Sequence, residues 1–385
     1  MSIDGSLLIH SVRLVSGGRE LDDAWVRFEG GKVAAVGTGS ERPDAAEVID
    51  ATAEAGAGAI LTPGFVDIHC HGGAGAAHDD GAEAIRTARA MHRAHGTTRA
   101  VLSLVTAPVD DLVRRVREIA ELARTDEEIL GSHLEGPFLD PGHHGAHAPS
   151  LLRDPDAAAV ARLLEAGEGT VRQVTLAPER PGGIAAIERI VAAGAAAAVG
   201  HTDADETVAA AAFDAGATIL THAFNAMRGI HHRAPGPVLA AAADRRVVLE
   251  GIADNVHLHP FAIRLLFDAA PGRVALVTDA MAAAGAPDGP YDLGAVKVTV
   301  RDGIARTDET GSIAGSTLTQ DIALRRAVDA GASLPEAVRA LTDTPARAIG
   351  YGGRLGRLEA GFPADAVLLR ADLTVARVWT GALAG

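Results

Sequence analysis

From residue 60 onward, short apolar runs of strand character alternate with Ala-rich segments of helical spacing, and the pattern recurs eight times. The runs are Ile60–His69, Thr98–Leu104, Ile129–Leu134, Val171–Leu176, Ala196–Val199, Thr218–Leu220, Val247–Ile252 and Val274–Thr278. Between them, stretches such as Pro108–Ala123 and Asp156–Ala166 repeat apolar residues at one-turn spacing. Strands joined through helices run parallel, because each crossover returns the chain to the same end of the sheet. Eight such units are enough to close a barrel. An open, doubly wound sheet is the competing arrangement, but no Gly-rich dinucleotide turn follows the first run.

The two ends of the chain read differently. Leu7–Val12, Ala24–Phe28, Val33–Val36 and Glu47–Asp50 are short strands, with Glu29-Gly30-Gly31-Lys32 as a hairpin turn. Strand character returns near the other end at Ala366–Leu369 and Val375–Trp379. After the eighth run, Lys297–Val300 and Ile304–Arg306 form a further hairpin, and helices are predicted near Thr317–Ala330 and Pro335–Leu341. The expected fold is α/β: a (β/α)8 TIM barrel over 59–350, with a small β-sandwich domain assembled from 1–58 and 351–385. Trp25 and Trp379 are expected to pack inside that small domain.

Composition narrows the function. The formal charge is −15 and no Lys/Arg run exists, so a nucleic-acid partner is not expected. No apolar run free of Gly and charge approaches the roughly 20 residues of a membrane span. The single cysteine, Cys70, excludes an intrachain disulfide. Met1–Val15 carries Asp4, His10 and Arg13 and lacks the basic-then-apolar order of a signal peptide, so a cytoplasmic location is expected.

Chemistry concentrates at one end of the runs. His69 and His71 close the first, and their two-residue spacing points both side chains the same way. Glu135 follows the third, His201 the fifth, His222 the sixth and Asp279 the eighth. Any one of these histidines alone is an ordinary core or surface residue. Together they fall where barrel enzymes keep their sites, the C-terminal ends of the strands. Imidazoles plus a carboxylate suit a divalent metal, zinc foremost and iron as the alternative. One ion needs about three ligands, and two ions can share a carboxylate. Asp279 reads as a general base, with ligand or helix cap as the other options. Cys70 points away from its histidine neighbours and reads as core. His78, His92, His95, His231, His232 and His259 read mostly as loop or helix-surface residues, and His143 and His144 receive no role.

Pro63-Gly64-Phe65-Val66-Asp67-Ile68-His69-Cys70-His71-Gly72 resembles the entry motif of the amidohydrolase superfamily. His133–Phe138, Gly145-Ala146-His147, His222–Met227 and Leu276–Ala280 resemble the N-acetylglucosamine-6-phosphate deacetylase family within it, over nearly the whole chain. The resemblance implies hydrolysis of that phosphorylated N-acetyl amino sugar to acetate and the free amine. It implies that Glu135, His201 and His222 hold the main metal, and that His69 and His71 complete a second site. Asp279 would take a proton from water and return it to the leaving amine, and His147 would polarise the acetyl carbonyl. Ala146, His147, Asn225, Ala226, Arg233 and His257 would bind substrate, and Ile313, Ala314 and Gly315 would line the pocket. A homodimer is implied, with Arg233 serving its own or a neighbouring subunit. Asn255 stands where the family usually has Gly, and Asn tolerates a left-handed backbone better than most residues. Hydrolysis of the galactosamine epimer, another amidohydrolase activity such as on a cyclic amide, and a metal-free binding scaffold are the competing readings.

Overall fold

A computed structural model describes residues 5–381. Among these residues, one sheet holds eight parallel strands, each paired with its sequence neighbour. The strands are Phe65–Asp67, Thr97–Val105, Ile129–Glu135, Val171–Leu176, Ala196–Val199, Ile219–Leu220, Val248–Gly251 and Val274–Leu276. The helices between them turn one apolar face inward, as Val109–Ala123 does with Leu112, Val116, Ile119 and Ala120.

The first and last strands share no ladder, and the barrel is closed across this seam by other means. The Asp279 backbone N–H donates to His69 O at 2.8 Å. Thr278 Oγ1 donates to Asp67 Oδ2 at 2.6 Å. Gln320, fully buried on the helix Gln320–Asp329, donates through Nε2 to Val66 O at 3.1 Å. Two of these three bonds involve residues beside His69 and Asp279, so closure and site geometry are the same problem.

The small unit is a mixed sheet of seven strands among the described residues. Ser6–Ser16, Arg19–Glu29 and Lys32–Thr38 form antiparallel hairpins. Gly30 and Gly31 both take positive φ, 56° and 74°, the requirement of the tight turn read from Glu29-Gly30-Gly31-Lys32. Ala24, Val26 and Phe28 alternate inward onto a core that includes Leu61, Leu368 and the buried Trp379. Trp25 lies on the opposite face, half-buried against Gly37.

One expectation is corrected here. Ile60–His69 is not a single barrel strand. Ile60–Pro63 pairs with Ser6–Ser16 and Ala366–Leu369 in the small sheet, and only Phe65–Asp67 joins the barrel. The break is Gly64, where a Cβ would lie 2.1 Å from Thr98 Oγ1. The apolar run is continuous because both segments are buried, so hydrophobicity alone does not show the change of sheet. Arg99 ties the two units together through a buried bidentate pair with Asp365, at 2.7 and 2.9 Å.

The hairpin after the eighth strand is three-stranded, Gly289–Leu293, Val296–Arg301 and Ile304–Thr307. Its Gly294 turn packs on Val105 at the end of the second barrel strand. A further short helix, Asp343–Ala348, follows the two that were expected. Among the described residues no helix is long and apolar enough to cross a membrane.

Candidate metal centre

The residues singled out at the strand ends converge. His69 and His71 lie just past the strand Phe65–Asp67, with their Nε2 atoms 3.2 Å apart. Glu135 ends the third strand and stands at the middle of the cluster. Its Oε1 lies 3.3 Å from His69 Nε2 and 3.2 Å from both His201 Nε2 and His222 Nε2. Its Oε2 lies 3.0 Å from His71 Nε2 and 3.4 Å from His147 Nε2. Asp279 Oδ1 closes the other side, 3.5 Å from His69 Nε2 and 3.4 Å from His71 Nε2. All seven side chains are buried.

His201, His222 and Asp279 each take positive φ, at 47°, 27° and 48°. Such backbone costs roughly 1–3 kcal/mol per residue and persists only where surroundings enforce it. Here Asp140 N–H donates to His201 O at 2.9 Å, and Ser316 N–H donates to Asp279 O at 2.7 Å. The turn drives each side chain off the strand axis and into the barrel mouth. Asn255 is also left-handed, at φ 64°, which explains how Asn stands in for Gly there.

The donor set fits a cation. His201 Nε2 and His222 Nε2 are 3.0 Å apart, too close for two bare lone pairs in a dry site. Four ligands at the ~2.0–2.1 Å of zinc–nitrogen bonds stand roughly 3.3 Å from one another, which matches the spacings above. Two overlapping groups bring their ligand atoms within 4.8 Å of one another: His69, His71, Glu135 and Asp279, and Glu135, His147 and His201. They share Glu135, so one carboxylate can serve two ions. His222 adjoins the second group.

Charge follows the same geometry. Burial disfavours the Glu135 carboxylate anion, but the histidines around it prevail and hold its pKa well below the usual range. Burial would lower His71, yet hydrogen bonds to Asp279 and Glu135 raise it to about 10. Burial opposes the Asp279 anion too, and the attraction of His69 and His71 overcomes it, leaving a pKa of about 2. His147 goes the other way, with burial carrying it down to about 4. A metal-free chain therefore carries a protonated His71 at neutral pH. Loading a divalent metal at pH 7 is expected to release about one proton or more per chain. Calorimetric titration in two buffers of different ionisation enthalpy measures this, and a heat that does not depend on the buffer would rule it out.

The cluster opens into a cavity of about 400 Å³. Ala146, Asn225, Ala226, His257, Ile313 and Gly315 line it beside the cluster residues. Burial would lower the His257 imidazole, but the hydrogen bond between Nδ1 and Asp254 Oδ2, at 2.7 Å, raises it. Two expected residues lie elsewhere. Ala314 is buried in the apolar cluster of the three-stranded hairpin, behind the wall. Arg233 is exposed, beside His232, and does not line the cavity.

Other residues enter that sequence reasoning did not place. His143 lines the cavity, and its carbonyl accepts from His201 Nδ1 at 2.8 Å. His78 and His92, read as surface residues, are buried, and His92 Nε2 lies 3.3 Å from Cys70 Sγ. Their helix and its preceding turn pack against the site strands, which local polarity does not reveal. Glu250 is fully buried and 3.0 Å from His69 Nδ1. Its signal was present: a lone carboxylate inside the apolar run Val247–Ile252 has no cheap burial without a partner.

Comparison with known proteins places these features. The amidohydrolase family model matches residues 60–381. The chain is 38% identical over 377 residues, 97% of each chain, to N-acetylgalactosamine-6-phosphate deacetylase of Escherichia coli O157:H7. It is 35% identical over 332 residues, 83% of this chain and 81% of the other, to N-acetylglucosamine-6-phosphate deacetylase of Vibrio furnissii. A mutant N-acetyl-D-glucosamine-6-phosphate deacetylase from Mycobacterium smegmatis, solved with N-acetyl-D-glucosamine-6-phosphate, superposes with a TM-score of 0.92 at 43% identity, covering 98% of each chain.

Proposed function

Because the chain belongs to the amidohydrolase family, among its metal-dependent N-acetylglucosamine-6-phosphate deacetylases, we propose that it hydrolyses N-acetylglucosamine-6-phosphate to glucosamine-6-phosphate and acetate. The observation that carries this reading is the shared Glu135 carboxylate, with His69, His71, His201 and His222 around it and Asp279 facing the same cavity.

In this reading Glu135, His201 and His222 hold the main ion, and His69 and His71 hold a second with Glu135. When bound, a divalent cation, zinc foremost, polarises the amide and brings the pKa of water toward about 7. Asp279 is ionised at neutral pH and sits at the cavity wall. It accepts the proton of the attacking water, then delivers it to the leaving nitrogen, which cannot depart as an anion. His147 polarises the acetyl carbonyl through Nε2–H. Thr106 Oγ1, which donates to the Glu135 carbonyl at 3.1 Å, lies 2.8 Å from His147 Nδ1 and fixes the ring from behind.

The phosphate reading rests on His257, whose pKa Asp254 raises, with the Asn225 side chain and Ala226 backbone beside it on the cavity wall. Arg233 supplies a bidentate donor from a second copy of the chain, because in its own subunit it stands outside the cavity wall. Its loop carries the exposed Ile230, and Phe261 and Leu265 form a further exposed apolar pair one helical turn apart, 82% and 44% accessible. A homodimer burying such surface accounts for both features.

One second reading has an observation behind it: the Escherichia coli relative that acts on the galactosamine epimer covers 97% of this chain. Acetate release from the two N-acetylhexosamine-6-phosphates and from unphosphorylated N-acetylglucosamine, before and after chelation, decides among these. Turnover of the glucosamine phosphate that needs the phosphate and stops with the chelator is expected. Preference for the galactosamine phosphate would move the assignment to that epimer. No turnover of any of the three by metal-replete protein would end it.

A further inference from the structure

Glu250 lies in the strand Val248–Gly251, where every residue is buried, and among the described residues it pairs with no lysine or arginine. A carboxylate in that position needs donors around it. It has three. Oε2 accepts from His69 Nδ1 at 3.0 Å and from the His222 backbone N–H at 3.2 Å, and Oε1 accepts from Gln173 Nε2 at 2.8 Å. One oxygen thus touches His69 of one candidate cation group and the backbone of His222, beside the other.

We propose that Glu250 is a positioning residue for the metal centre, which sets the His69 imidazole for cation binding and locks it to the His222 turn. The inference rests on the reading that the cluster holds cations. By accepting from Nδ1, Glu250 keeps the proton of His69 at the rear of the ring. The Nε2 lone pair then faces Glu135 Oε1, 3.3 Å away. A carboxylate behind a ligand imidazole also raises its basicity as a ligand. His69 is distinguished in this from its neighbours. His71 Nδ1 and His222 Nδ1 are buried without a hydrogen-bond partner, and His201 Nδ1 meets only a backbone carbonyl. The His69/His71 half of the centre is therefore held from behind by one side chain, and that side chain is Glu250. Its second bond, to the His222 N–H, supports a turn held at positive φ.

The test is Glu250→Gln, which keeps shape but offers one oxygen to three donors and turns an N–H toward one of them. Glu250→Asp, which keeps the charge and shortens the reach, is the companion should the amide not fold. Metal content per chain and chelator competition with zinc or cobalt are measured on wild type and both variants, with the melting temperature of each metal-stripped protein. One ion is expected to bind about 10- to 100-fold more weakly in E250Q, the other nearly as in wild type, with E250D intermediate. Unchanged affinity for every ion that wild type holds, one or two, would overturn the proposal. So would equal loosening of both ions with a lowered melting temperature of the stripped protein, the mark of a purely structural residue. Wild type that retains no ion from metal-replete medium would instead fail at the cation reading itself, before any variant is compared.

Discussion

Asp279→Asn is expected to retain the metal content of the wild type and to lose about 100- to 10,000-fold in turnover, the range of a positioned proton-transfer group. The choice of Asn matters. Asp279 holds a left-handed backbone, φ 48°, and Asn is among the few residues that accept this conformation readily. The backbone that carries the barrel seam, Asp279 N–H to His69 O and Ser316 N–H to Asp279 O, is thereby left intact. Ala would add strain to the loss of the carboxylate and blur the result. The amide cannot take a proton from water, whereas the Asp279 carboxylate can. Steady-state acetate release and metal analysis on the same preparation check this. Near-wild-type turnover would remove Asp279 from the proton path. Loss of an ion along with activity would make it a ligand, since Oδ1 also stands 3.4–3.5 Å from the His69 and His71 nitrogens.

Glu135→Gln should be the more destructive change. A single carboxylate lies within 3.0–3.4 Å of five imidazole nitrogens, so it is the common member of both candidate groups. The amide keeps one oxygen but presents an N–H to the other half, where a cation ligand is required. Removing the charge also leaves the histidines without the anion that offsets a divalent ion in a buried site. Metal content is expected to fall for both halves, and activity to the level of chelated wild type. Retention of both ions by E135Q would show that the histidines suffice and that Glu135 is not shared.

Much of this was written locally. Two-residue periodicity placed His69 and His71 together, and strand ends placed Glu135, His201, His222 and Asp279 at one mouth, because a parallel barrel puts all strand C-termini on one face. The Gly30-Gly31 pair, with its positive φ, marked the turn between Arg19–Glu29 and Lys32–Thr38, and Asn255, singled out through the family resemblance, is left-handed as that implied.

What the chain alone left open are the relations that depend on which buried face meets which. The run Ile60–His69 is apolar throughout, and only tertiary pairing shows that Gly64 hands it from one sheet to another. His78 and His92 are polar by type, yet both are buried, His92 against Cys70 Sγ and His78 through its N–H on His71 O. Arg233 belongs by motif with the cavity and stands outside it, because the loop after the sixth strand carries it to the surface. Glu250 lies 181 residues from His69 in the chain and 3.0 Å from it in space. Local periodicity settles what faces inward. Only closure of the barrel, which brings the first strand back beside the eighth and so within reach of the seventh, decides which inward-facing groups become partners.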